Sequence, residues 1–211
     1  KGIHGLKVQH VTTDSSATAV AGGSWSSGGS INTGRGHGGT SRQGTQSATI
    51  YFGGYPPVNP RRAETENYNG TSWTEVGDLN SGRSNMAGIG TATAALSGGG
   101  STQPGVNVAI NESWNGSAWT EVADLNQARR ELAGCGTQTA GLAISGATGP
   151  PKHTNVESWN GSSWTEIADV NTARSQIGGA GSQTSAIAFG GGPPDANIAE
   201  TWNGSAWTEV A

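Results

Sequence analysis

One phrase recurs along this chain, and its period constrains the fold more than any other feature. Trp/Tyr-Asn-Gly-x-x-Trp runs from Tyr68 to Trp73, Trp114 to Trp119, Trp159 to Trp164 and Trp202 to Trp207, and a degraded copy ends at Trp25. The closing Trp residues are spaced by 48, 46, 45 and 43 positions. A period of roughly 20–50 residues marks repeated supersecondary units that bury their apolar faces only against one another.

Other positions keep step with the phrase. An Arg follows each closing Trp by ten residues (Arg35, Arg83, Arg129, Arg174), each within Asn-x-Gly/Ala-Arg. A Glu lies two before the first aromatic (Glu66, Glu112, Glu157, Glu200) and another two after the last Trp (Glu75, Glu121, Glu166, Glu209). Asp78, Asp124 and Asp169 also recur. A short apolar run ends in Gly-Gly at 50–54, 94–99 and 186–191, and becomes Leu-Ala-Ile-Ser-Gly at 142–146.

Each unit reads as four short strands: a Gly/Ala/Ser/Thr strand after the Arg, the apolar run, the Glu-x-Trp segment, and Trp-Thr-Glu-Val. Asn-Gly joins the last two as a hairpin turn, because both residues tolerate positive φ. Residues 120–133 look helical by propensity and by the Val122/Leu125/Leu132 spacing. The same register elsewhere carries Gly34 or Gly82, so the repeat overrides that signal.

Composition narrows the class. Gly 36 and Pro 8 leave few large aliphatics, yet eight Trp, a net charge of −4 and 12% charged residues do not describe a disordered tail. Large aromatics must supply much of the core, each burying roughly 150–250 Å². No apolar run approaches a membrane span. Without a basic run, nucleic acid is not an expected partner. The chain opens without Met, as a processed or partial chain would.

Four short strands per unit of about 45 residues, a Gly pair, an aromatic and a Trp five residues later resemble the kelch repeat. That resemblance implies an all-β, kelch-like β-propeller: about five four-stranded blades, the N-terminal one (residues 1–25) incomplete. The repeat periods are 26–73, 74–119, 120–164 and 165–207, with 208–211 ending the last outer strand. The phrase NGxxWTEV is also similar to repeats in phage structural (tail, virion) proteins. Inner strands crowd the axis of such a fold, which suits small residues, and an outer Trp covers the neighbouring blade. Trp73, Trp119 and Trp164 are therefore expected to be buried between blades, and each repeated Arg to bond a Glu or a backbone carbonyl.

Catalytic signals are poor. Gly34-x-Gly36-x-x-Gly39 matches a dinucleotide fingerprint by letters but opens no helix. His4, His10, His37 and His153 lie in different stretches without metal spacing, so no metal site is expected. Kelch folds include copper oxidases with a Cys–Tyr radical site, but Cys135 has no Tyr in its unit and reads as a buried thiol. Asn-Gly-Ser/Thr at Asn69, Asn115, Asn160 and Asn203 doubles as a glycosylation sequon, and the hairpin turn explains it more simply.

Residues that differ between units are the better guide to function. The links after the Gly pairs vary most, carry Pro-Pro stiffeners, and hold Tyr55, Arg61, Arg62, Gln103, Lys152, His153 and Asp195. Loops on a rigid scaffold are the usual place for recognition. The expectation is a non-catalytic scaffold without cofactor, virion-associated or extracellular. It would bind other virion or surface proteins or a host glycan, as one copy, a homo-oligomer or part of a larger assembly. The alternative is an extracellular lectin or a kelch-type carbohydrate-active enzyme, such as a sugar oxidase or epimerase.

Overall fold

The computed structural model describes residues 27–56, 60–192 and 197–210, and every regular element among them is a strand. Four antiparallel four-stranded sheets follow one another along the chain. The first holds β1 (Gly39–Thr40), β2 (Thr49–Phe52), β3 (Thr65–Tyr68) and β4 (Trp73–Val76). The second holds β5 (Ala87–Gly90), β6 (Ala95–Gly98), β9 (Asn111–Trp114) and β10 (Trp119–Val122). A small hairpin, β7 (Ser101–Thr102) with β8 (Val106–Asn107), is inserted between β6 and β9. The third holds β11 (Ala133–Thr137), β12 (Ala140–Ile144), β13 (Val156–Trp159) and β14 (Trp164–Ile167). The fourth holds β15 (Gly178–Gly181), β16 (Ala186–Phe189), β17 (Ala199–Trp202) and β18 (Trp207–Val210). The stretch with helical propensity is strand to Val122, irregular, then strand again from Ala133.

The first strands are small-residue strands because the sheets touch there. β1 packs on β5, β5 on β11, and β11 on β15. A Cβ on Gly134 would lie 2.6 Å from Ile89 Cγ1, and one on Gly179 would lie 2.9 Å from Ala133 Cβ. Backbones at that separation leave no room for side chains. Arg42, just after β1, reaches Gly179 of β15 with Nη1 at 3.4 Å from its carbonyl, which ties the first sheet to the fourth.

Each Asn-Gly hairpin is a four-residue loop. The Asn Oδ1 accepts the N–H groups two and three residues on, as at Asn115 (2.9 and 3.0 Å), and Gly116 takes φ +98°. This pins the aromatic pair side by side across the hairpin: Trp114–Trp119, Trp159–Trp164 and Trp202–Trp207 have ring centroids 5.3, 5.2 and 5.4 Å apart. The pair of one sheet covers the sheet before it. Trp119 meets Phe52 edge-on at 4.8 Å and donates its indole N–H to Thr65 Oγ1 at 2.9 Å. Trp159 and Trp164 pack on Ala87, Ile89 and Leu96, while Trp202 and Trp207 pack on Leu142, Ile144 and Val156.

Trp73 departs from the expectation. Trp119 and Trp164 are buried, but Trp73 and its partner Tyr68 are only half-buried. No sheet precedes theirs among the described residues, and the Trp73 indole donates instead to the Gly29 carbonyl at 3.0 Å. The incomplete unit expected over residues 1–25, with Trp25, lies outside the described residues.

The decayed Gly pair keeps its shape. Ser145 takes φ +60°, as Gly53 (φ +63°), Gly99 (φ +68°) and Gly190 (φ +65°) do in the other units. Its hydroxyl lies within hydrogen-bonding reach of the His153 and Arg174 carbonyls, at 2.8 and 2.5 Å. Those contacts compensate for the left-handed conformation that a Gly adopts without cost.

Candidate functional site

The link entering each sheet crosses that sheet's end from its outer strand inward, and a buried carboxylate clips it there. The Asn of the link donates its backbone N–H to the third-strand Glu at 2.7 Å in all four units: Asn32–Glu66, Asn80–Glu112, Asn126–Glu157 and Asn171–Glu200. Three residues on, the Arg pairs with the same carboxylate. The separations are 2.5 Å for Arg35–Glu66, 2.8 Å for Arg83–Glu112, 3.1 Å for Arg129–Glu157 and 2.6 Å for Arg174–Glu200, all buried. The remaining guanidinium donors cap carbonyls at the Gly-pair turn, as Arg83 does at Gly99 (2.7 Å) and Ile110 (2.8 Å).

Buried Arg survives by such pairing. Burial pulls Arg83 below its ordinary value, opposed by Glu112, Asp124 and Glu121. Burial likewise pulls Arg129 down, opposed by Glu157, Glu166 and Asp169. The three recurring acids of a unit thus act on one guanidinium. Burial pushes the Glu66 carboxyl up. The Asn32 amide and the Arg35 side chain outweigh it and hold Glu66 below the usual carboxylate range.

Two residues past each Arg stands a second ring. His37, Asn85, Glu131 and Gln176 all take left-handed backbone, with φ of +59°, +58°, +60° and +56°. Asn85 N donates to His37 O at 2.7 Å, Glu131 N to Asn85 O at 2.8 Å, and Gln176 N to Glu131 O at 2.8 Å. One backbone chain therefore stitches the four units together, and each unit presents a chemically different side chain at the same point. A left-handed non-Gly residue costs about 1–2 kcal/mol. Sustained strain of that kind clusters at functional sites.

The variable loops start beside this ring, through the bridges Gly36–Tyr55, Ser84–Ser101, Arg130–Ala147 and Ser175–Gly192. Three of the residues chosen from sequence, Tyr55, Arg61 and Gln103, come together there. With Asn85, Arg130 and Glu131 they line a concavity of about 350 Å³. Tyr55 stacks on His37 with centroids 4.9 Å apart and ring planes 2° from parallel, and the Arg61 guanidinium sits 5.8 Å from the Tyr55 ring centre. Arg61 is held by Ser84 Oγ and Gln103 Oε1, both at 2.9 Å. An adjoining concavity of about 300 Å³ shares Asn85 and Glu131 and adds His37, Arg42 and Gln176.

The other sequence candidates do not join them. Arg62 pairs with Glu64 at 3.2 Å. Lys152 bridges Ala147 through its backbone, and the His153 ring meets Thr148 Oγ1 at 2.9 Å. Burial, then Arg129, lowers the His153 pKa from its ordinary 6.5. Asp195 lies outside the described residues. Burial pushes the Cys135 thiol up to about 11, with Arg42 pulling the other way, so it is un-ionised at neutral pH. Among the described residues no group of three or more His, Cys, Asp or Glu is placed to hold a metal ion, and no helix is long and apolar enough to cross a membrane.

Sequence reasoning missed the left-handed ring, Arg42 and Arg130. It also missed Gln138 and Gln183, whose side-chain amides tie each inner hairpin to the preceding sheet. Gln138 Nε2 donates to Ser113 Oγ at 3.0 Å and to the Trp114 carbonyl; Gln183 Nε2 donates to Ser158 Oγ at 2.9 Å and to Trp159 O at 2.5 Å. The matched segments Thr-Gln-Thr and Ser-Gln-Thr carried that signal.

Among known proteins, no family model matches this chain and no curated protein matches it significantly.

Proposed function

We propose that this chain is a kelch-like β-propeller that works without catalysis, presenting its loop face to a surface protein or a surface glycan. The observation that carries this is the convergence of Tyr55, Arg61 and Gln103, from two different units, with Asn85, Arg130 and Glu131 around one concavity. The propeller is supported by the meeting of successive inner strands and by the Arg42 link from first sheet to fourth. A further blade is supported by Phe189, 45% exposed, whereas Phe52 and Ile144 at the same register are fully covered by the next sheet. Catalysis is not invoked because, among the described residues, the two concavities contain a single carboxylate, Glu131, already ion-paired with Arg130 at 3.4 Å. A place on a phage virion or another extracellular surface rests on the likeness of NGxxWTEV to phage structural repeats.

The concave shape of the site and the aromatic edge of Tyr55 favour a small ligand such as a sugar over a flat protein patch, which supports the lectin reading. The test is capture. The triple variant Tyr55→Ala, Arg61→Gln, Gln103→Ala should keep the parent's melting curve and lose copurification with an assembled particle or binding to the host surface. Undiminished capture, or turnover of a sugar substrate by the parent, would contradict the proposal.

A further inference from the structure

The two adjoining concavities carry a charge that the rest of the chain does not. The protein has a net charge of −4, yet among the described residues the charged side chains lining them are Arg42, Arg61 and Arg130 against Glu131. A local excess of cations on an acidic chain concentrates an anion there.

The guanidinium groups also hold donors in reserve. Arg130 meets the Glu131 carboxylate through its buried Nε at 3.4 Å, while its side chain is still 31% exposed. Arg42 donates to one carbonyl, Gly179, at 3.4 Å, and burial pulls its pKa below the ordinary value. Arg61 spends Nε and one Nη1 bond on Ser84 and Gln103, which fix its direction, and among the described residues Nη2 makes no such bond. Planar guanidinium donors held in this way suit a carboxylate, which they bind bidentately.

The rest of the lining says what carries that carboxylate. Asn85, Gln103 and Gln176 present amides, which both donate to and accept from hydroxyls. Tyr55, stacked on His37 and with Arg61 over its ring, presents an aromatic edge, an apolar surface against which sugar C–H groups pack. Concavities of about 350 and 300 Å³ lie at the small end of those that hold small ligands. An extended acidic peptide would instead pair its backbone with a free strand edge, and the lining offers side chains. We propose that this face binds an acidic saccharide, its carboxylate on Arg61 and Arg130 and its hydroxyls on the amides of the left-handed ring. This rests on the loop face being the recognition surface and names the chemistry recognised.

The experiment is calorimetric titration of the full chain with three probes: tetragalacturonate, its neutral methyl ester, and poly-L-glutamate. The expected result is saturable binding of tetragalacturonate that weakens with salt. The methyl ester should bind at least about tenfold more weakly, and poly-L-glutamate should not bind. Arg61→Gln and Arg130→Gln should each lose about tenfold or more in affinity with unchanged melting curves, since one charge-assisted bond is worth about that factor. Equal binding of the methyl ester, unchanged affinity in both variants, or no binding of tetragalacturonate would overturn the proposal. Poly-L-glutamate binding as tightly as tetragalacturonate would also overturn it, assigning an acidic protein instead. In each of these cases the loop-face proposal survives if particle or surface capture is still lost in the triple variant, so the two failures are distinguishable.

Discussion

Two rings of side chains, two residues apart in every unit, make opposite use of the same repeat. Arg35, Arg83, Arg129 and Arg174 are one residue type, buried, each clipped to a Glu. His37, Asn85, Glu131 and Gln176 share one backbone conformation and no chemistry at all. The first ring holds each link to its sheet. The second keeps a left-handed backbone geometry that Glu131 and Gln176 adopt against their preference, and it borders both concavities. Identity at a repeated position marks scaffold, whereas variety at a fixed geometry is what we propose for recognition.

The sharpest way to break this comparison is to remove one scaffold guanidinium. Arg83→Met leaves Glu112 buried without its partner and should cost about 3–5 kcal/mol in denaturant melts. Glu131→Gln in the other ring should cost no more than about 1 kcal/mol, because the pair it makes with Arg130 is partly exposed and Gln keeps an oxygen to accept from the guanidinium. If the two variants melt alike, the division between the rings fails.

The Trp series sharpens it along the chain. Trp119→Ala should lose about 3–5 kcal/mol, because its ring is buried against Phe52 and bonded to Thr65. Trp73→Ala should lose clearly less, since a half-buried ring removes less apolar surface from water. Equal losses would show that Trp73 is covered as fully as the others.

The repeat made the strands legible because register, turn and burial all follow from one phrase. Asn-Gly marked the hairpins, small residues marked the strand where backbones touch, and Ser145 looked like decay only because its hydroxyl contacts are not visible in a letter. The left-handed ring was illegible for a physical reason. Asn85 and His37 are types that tolerate positive φ, but Glu131 and Gln176 are not, so no shared propensity marks the position; there the inter-unit backbone bonds impose the conformation. Trp73 was overread for the converse reason: its phrase is intact, but what covers a Trp belongs to another unit. Arg61 and Gln103 were found as loop residues, while Arg130 hid inside the Asn-x-x-Arg register as an extra basic residue.

Acid should act on the scaffold in two steps. His153 has its pKa lowered, chiefly by burial, so the folded state binds its proton less readily than the unfolded chain. Its contribution is present above pH 6.5 and is lost as pH falls through the depressed value. Glu66, also lowered, contributes above the usual carboxylate range and loses that contribution at still lower pH. Melting temperature against pH should show the first decline below 6.5, and His153→Gln should abolish that step alone. A variant whose first decline is unchanged would place it elsewhere.

A smaller effect tests how the sheets interlock. The buried Trp207 indole N–H has no partner, and Val156 stands where Thr65 accepts the Trp119 indole. Val156→Thr should supply the acceptor and gain up to about 1 kcal/mol. A loss of that size in a chemical melt would show that Trp207 does not face position 156.

The most direct test replaces His37, Asn85, Glu131 and Gln176 together with Gly and measures the melting temperature. Gly adopts positive φ freely, so a ring that is surplus to the scaffold can lose all four side chains with its backbone bonds intact. The melting temperature should equal or exceed the parent's. A fall of more than about 4 °C, on the order of 1 kcal/mol for a chain of this size, would show that these side chains hold the sheets together and would contradict their assignment to recognition.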